Sequence, residues 1–177
     1  MRKVGSQLGC QRYASVARSC YGHAMPGAIH HSVVVVRDLE SGLRFYRDGI
    51  GLDVLQDREV EGDWPALFDG PSRRLRAVFL GDRQVPDIHA GVLELISFLE
   101  GDLVARRRPG PPNAGLFQLS FFVDVEATLT KLADLGLGGT PRRVTQSTPN
   151  GPITIATVRD PDGVVILLTP GSITQRH

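Results

Sequence analysis

The 177-residue sequence predicts an α+β fold in which two βαβββ modules pair into one domain around a central cleft. Three observations carry that expectation. Residues 31–52 and 118–136 each run from an apolar strand through an aspartate into an amphipathic helix that stops at glycine, so one unit is used twice. Each unit is followed by three further short stretches of strand character. Residues 101–114 separate the halves, and Pro109, Gly110, Pro111, Pro112 and Asn113 make that segment resist regular structure.

In chain order, β-branched valines favour a strand over residues 31–37. Asp38 is placed to accept amide hydrogen bonds that the first turn of a helix leaves open. Leu39, Leu43, Tyr46 and Ile50 recur at helical spacing and predict a buried stripe, ended by Gly49 and Gly51. Strands are expected over 52–56, 75–80 and 92–98. The second module begins with a strand at 119–123. Val125, Leu129, Leu132 and Leu135 then form its helical stripe, ended by Gly136 and Gly138. Strands at 142–146, 153–158 and 164–169 follow, with Asp160-Pro161-Asp162-Gly163 as a turn between the last two. Neither half alone buries both faces of its sheet and helix, so the halves are expected to pack together and leave a polar-lined trough. The expected domain covers 29–170, as modules 29–100 and 115–170 joined by the linker 101–114, with a tail at 171–177.

Composition narrows the partners. With 20 Lys and Arg against 19 Asp and Glu, the net charge is +1, which gives no support for a general nucleic-acid surface. The clusters Arg73-Arg74 and Arg106-Arg107-Arg108 are short and read as solvated rims or turns, or as an anionic ligand site. No apolar run approaches the roughly 20 residues needed to cross a membrane. Cys10 and Cys20 lack the companions of a zinc motif. Nothing here requires an oxidising compartment, and a cytoplasmic setting is expected. Residues 1–28 are basic, and the first acidic residue is Asp38. This leader reads as an upstream extension of a true start near Met25, as a flexible tail, or as a targeting peptide, although it lacks the apolar core of a secretory signal. In none of these is it expected to carry catalysis.

Residues 29–170 resemble the vicinal oxygen chelate superfamily, the glyoxalase/bleomycin-resistance/extradiol-dioxygenase fold. The resemblance rests on His31 through Leu52, on Gly91-Val-Leu-Glu-Leu-Ile-Ser97, and on Arg159-Asp-Pro-Asp-Gly163 before a terminal apolar strand. It implies a glyoxalase-like domain, with metal ligands on the first and last strand of each half. His31 matches the first-strand histidine and Glu94 the carboxylate of the Val-x-Glu-Leu strand. Gln118 is the best match to the third position, usually histidine, with Phe117 as the alternative register. Leu167 stands where a glutamate is common. The implied cofactor is a divalent ion, Ni, Zn, Mn, Fe or Co, held by His31, Glu94 and Gln118. Gln118 carries no charge, and Leu167 can neither ligate nor act as a base, so a weaker site is expected than one with two carboxylates.

Further cleft candidates have competing readings. His89 is read mainly as a surface or turn residue, with substrate contact as the alternative. Arg76 is read as a rim ion pair, with neutralisation of an acidic substrate as its alternative. Trp64 and Phe68 belong to an apolar segment that reads as a lid, a dimer contact or simple packing. Tyr46 falls on the core stripe and is not read as an acid. The leading functional expectation is a metal-dependent lyase or isomerase of the glyoxalase/epimerase type for a small substrate with vicinal oxygens, its catalytic acid or base unidentified. The alternatives are a non-catalytic protein that sequesters an aromatic or drug-like molecule, and a regulatory or scaffold protein that keeps only the fold. The resemblance also implies a homodimer.

Overall fold

The structure is a computed structural model that describes residues 31–84, 91–103, 115–116, 118–148 and 151–170. The leader, Cys10, Cys20, His89, Phe117, most of the linker and the tail 171–177 lie outside the described residues. Among the described residues eight strands form two four-stranded sheets. The first holds β1 (His31–Val35), β2 (Asp53–Glu61), β3 (Arg74–Gly81) and β4 (Val92–Phe98) in the order β1-β4-β3-β2. The second holds β5 (Gln118–Phe122), β6 (Gly138–Thr148), β7 (Gly151–Arg159) and β8 (Val165–Thr169) in the order β5-β8-β7-β6. In each sheet the first strand pairs parallel with the last, and the remaining pairs are antiparallel. The sequence repeat is therefore a topological repeat, and the paired βαβββ architecture is observed.

The first helix departs from a single regular stripe. Asp38 accepts from the Glu40 amide at 3.1 Å and opens α1 (Leu39–Leu43). The chain then widens into a π-helical segment (Arg44–Ile50), closed by Gly51 at φ 97°, whose amide donates to the Tyr46 carbonyl. The wider turn accommodates two adjacent rings: Phe45 and Tyr46 are both fully buried and meet edge to face at 5.0 Å. Phe45 lies outside the regular i, i+3, i+4 pattern, which is why spacing alone does not find it. The apolar segment that carries Trp64 and Phe68 forms a short helix, α2 (Trp64–Phe68), with Pro65 in its first turn. In the second module Asp124 accepts from the Ala127 amide at 3.0 Å and caps α3 (Val125–Asp134), which buries Val125, Thr128, Leu129 and Leu132.

One hydrophobic core joins the modules. Val34, Leu93 and Leu95 from the first sheet, with Val36 just after β1, pack with Leu43, Phe45 and Tyr46, and the same cluster continues through Leu129 and Leu132 to Ala156, Val158, Ile166 and Leu168. The contact between helices is close enough that a Cβ on Gly49 would stand 2.4 Å from Leu132 Cδ2. The Tyr46 hydroxyl donates to Asp160 Oδ2 at 2.8 Å, while Asp160 Oδ1 accepts the amides of Asp162 and Val164. Arg37 Nε donates to Asp162 Oδ1 at 2.6 Å. The predicted 160–163 turn is thus anchored to the first module by two side chains.

Both sheets give their inner faces to this core. Strand alternation directs the other set of side chains to an outer face on each sheet; on the first sheet Trp64 and Phe98 cover part of it, burying Leu75, Ala77 and Ile96, and the rest is open. Among the described residues no helix is long and apolar enough to cross a membrane.

Candidate functional site

The register of β1 and β4 determines what the first open face presents. His31 stands beside Val92, Val33 beside Glu94, and Val35 beside Ile96. His31 and Glu94 therefore lie diagonally on neighbouring strands, and His31 Nε2 is 2.9 Å from Glu94 Oε2. Their side chains keep 29% and 14% of their exposure, so both are shielded yet reachable from the open face. Phe79, directly opposite Glu94 on β3, meets the His31 ring edge to face at 5.7 Å. An acidic side chain inside an apolar strand is costly unless paired, and the imidazole N–H supplies the partner.

The second open face repeats the register with different chemistry. Gln118 stands beside Val165 and Ser120 beside Leu167, the same diagonal that His31 and Glu94 occupy. Leu119, Phe121, Ile166 and Leu168 belong to the core or pack against it, which leaves Gln118 and Leu167 on the outward face. The structural counterparts of His31 and Glu94 are thus a neutral amide and an alkyl chain. A broad open depression on this half, around Phe122, Ile153, Thr154 and Pro170, is lined by neither His31 nor Glu94.

The structure brings only some candidates together. Trp64 and Phe68 stack at 5.7 Å with a 22° interplanar angle, and Phe68 lies 6.2 Å from Phe98. With Val60, Leu75, Ala77 and Ile96, these rings continue the face that carries His31 and Glu94. The Trp64 indole N–H is buried without a hydrogen-bond partner among the described residues. Arg76 points the other way. It lies on the helix-bearing side of β3, where it donates to both Asp57 oxygens at 2.9 and 2.7 Å and stands 3.8 Å from Glu40. The guanidinium holds Asp57 below the usual carboxylate range, chiefly through those hydrogen bonds.

Among the described residues of the first sheet, Arg58 is the arginine that register places on the open face. It pairs with Ala77 in the β2–β3 register, and its guanidinium carbon lies 5.8 Å from the Phe79 ring centroid. Sequence reasoning missed it because Gln56-Asp57-Arg58-Glu59 is polar on both faces, so apolar alternation fades after residue 56 although β2 continues to Glu61.

Two ligands at about 2.1 Å from one ion and at right angles are about 3 Å apart, close to the His31–Glu94 spacing. The pair thus fits two adjacent ligand positions. Among the described residues no group of three His, Cys, Asp or Glu side chains is arranged to hold an ion. Further donors would have to include Gln118, water or the substrate.

The Glyoxalase/Bleomycin resistance protein/Dioxygenase superfamily profile matches residues 28–168. The lactoylglutathione lyase-like protein terB of Aspergillus terreus is 41% identical over 145 residues, covering 80% of this chain and 74% of its own. A glyoxalase family protein from Bacillus cereus superposes with a TM-score of 0.63 at 21% identity, over 85% of this chain and 97% of that one. The trypanothione-dependent glyoxalase I of Leishmania major superposes with a TM-score of 0.50 at 22% identity, over 82% and 87% of the two chains. At these identities both structures speak for the fold alone.

Proposed function

The chain belongs to the Glyoxalase/Bleomycin resistance protein/Dioxygenase superfamily, and from that premise we propose that it is a lyase or isomerase of the glyoxalase/epimerase type, acting on a small substrate with two adjacent oxygens. The observation that carries this reading is the His31–Glu94 pair, 2.9 Å apart on an open sheet face. His31 and Glu94 are the proposed ligands of a divalent ion, Ni, Zn, Mn, Fe or Co. The chemistry such an ion supplies when bound is polarisation of a carbonyl oxygen.

The chain's own residues do the rest. Phe79 holds the imidazole from the side, edge to face at 5.7 Å. Leu167 cannot take a proton, so the position where the family commonly has a glutamate is silent. Gln118, on the open face of the other sheet, would contribute where that face meets the first face of a second copy of this chain. Homodimerisation is therefore part of the proposal.

Metal analysis of freshly purified protein tests the reading beside a His31→Ala/Glu94→Ala double variant. The native protein is expected to retain a stoichiometric first-row ion and the variant to lose it. Equal metal content, or none in either, defeats the proposal. Rearrangement of the methylglyoxal–glutathione adduct is the first activity to assay, since the fungal relative's name points to that chemistry.

A second reading is favoured by the ring cluster of Trp64, Phe68 and Phe98 on the same face. It is a protein that binds and sequesters an aromatic molecule without turnover. Thermal-shift screening with and without chelator distinguishes the two: a stabilising aromatic ligand indifferent to chelation supports sequestration, and a broad panel without one counts against it.

A further inference from the structure

We infer that Arg58 is a carboxylate-binding residue, and that the first open face takes a small acid carrying a flat apolar group. This rests on the proposal that the His31–Glu94 face is the ligand site, and adds the chemical class of what it holds.

The inference starts from charge pairing. Most arginines of this half end on an oxygen within the chain: Arg37 on Asp162, Arg47 on Asp48, Arg73 on Asp63, Arg74 on Glu59, Arg76 on Asp57 and Arg83 on the Val54 carbonyl. Arg58 has no carboxylate or carbonyl partner among the described residues, and its guanidinium lies over the face of Phe79. Asp57 and Glu59, its neighbours in sequence, project to the opposite side and are taken by Arg76 and Arg74. A guanidinium on a ring keeps its forked N–H donors available, the geometry suited to a carboxylate.

Position gives the second argument. The open face is ordered in rows by register: Val33, Glu94, Phe79 and Gln56 form one, and Val35, Ile96, Ala77 and Arg58 the next. Phe79 therefore separates Arg58 from the His31–Glu94 pair and touches both sides, at 5.8 Å and 5.7 Å. Ala77 is the small residue in Arg58's row. Beyond it Trp64 and Phe98 pack over the buried Leu75, and the exposed Phe68 beside them completes an apolar wall. A ligand with a carboxylate at Arg58, adjacent oxygen near His31 and Glu94, and a ring against this wall meets complementary chemistry at each point.

The test is calorimetric binding of phenylpyruvate and 1-phenyl-2,3-butanedione, which share a benzyl ketone and adjacent oxygens but differ in the carboxylate, replaced by an acetyl group in the diketone. The native full-length chain is expected to prefer the acid by about tenfold at low salt, the preference shrinking as salt rises. Arg58→Gln should abolish the preference while leaving the diketone's affinity unchanged, Arg58→Lys should keep part of it, and Arg76→Gln should keep all of it. Native protein without a preference for the acid, binding neither probe included, overturns the inference. So does an Arg58→Gln variant that keeps the preference, which would make Arg58 a solubilising charge on an edge strand. Deuterium exchange into phenylpyruvate, above the uncatalysed rate, separates this from the underlying reading. If His31→Ala exchanges as fast as native while binding still requires Arg58, the enzymatic reading fails and the carboxylate site stands. If His31→Ala stops exchange but Arg58→Gln changes no affinity, the carboxylate site fails alone.

Discussion

Asp160 shows how much a single buried carboxylate does in this protein. Its two oxygens collect the Tyr46 hydroxyl and the amides of Asp162 and Val164, so it both shapes a turn and holds the other module. Burial raises its pKa, against the lowering effect of those hydrogen bonds. Burial, then the nearby charge of Asp160, raises that of Tyr46 as well. A carboxyl whose folded pKa is raised binds its proton more readily in the folded chain, so its contribution to stability is greatest below the unfolded value of roughly 3.9 and is lost as pH rises through the folded value. Asp38, Asp48 and Asp57 act oppositely. Hydrogen bonds from Ser41, Arg47 and Arg76 lower them, and their contribution is lost only in acid. Between about pH 4 and neutrality the Asp160 effect should therefore stand apart. Urea melts at pH 5 and pH 7 should show the native protein gaining stability on acidification relative to Asp160→Asn. An equal pH response in both would remove Asp160 as the cause. Asp160→Ala, which leaves the buried tyrosine hydroxyl and two amides unpaired, should cost about 2–4 kcal/mol in the same melts.

At the scale of elements, the first helix is where local pattern and tertiary demand diverge. Leu39, Leu43 and Tyr46 behave as the stripe requires, but burying Phe45 beside Tyr46 widens the turn, and Gly49 then meets Leu132 of the second module. Gly49→Ala should destabilise the protein by about 1–3 kcal/mol in urea denaturation, through overpacking. Leu132→Val should recover part of that loss in the double variant; a cost unchanged by shortening Leu132 would place the strain elsewhere. Strand β2 makes the complementary point. Its first residues were legible from alternation, but the stretch carrying Arg58 was not, because charged side chains on both faces of an edge strand erase the period-2 signal. Helix α2 was hidden for a similar reason: five residues are too few to display a helical period.

At the scale of the molecule, the shared core and the Tyr46–Asp160 and Arg37–Asp162 contacts tie the two modules together, and they should unfold as one cooperative body. Trp64, the single tryptophan, lies in the first module, so its fluorescence follows that half, whereas far-ultraviolet circular dichroism follows both. The two signals should fall along one coincident urea curve, and separated midpoints would show the modules unfolding independently. By itself the sequence determined the repeat and the order of its strands and two main helices, through local properties: valine-rich strands, aspartate caps and glycine stops. The resemblance to a family, not spacing, named His31 and Glu94 as candidates. It also located Gln118 and Leu167 as the altered second pair, which the shared diagonal register then made structural counterparts of the first. Tertiary structure alone decided which arginine faces that pair. Arg58 and Arg76 are equally basic and both sit on strands. Which side of a sheet each one meets depends on register with strands distant in sequence, because a one-residue shift reverses every side chain.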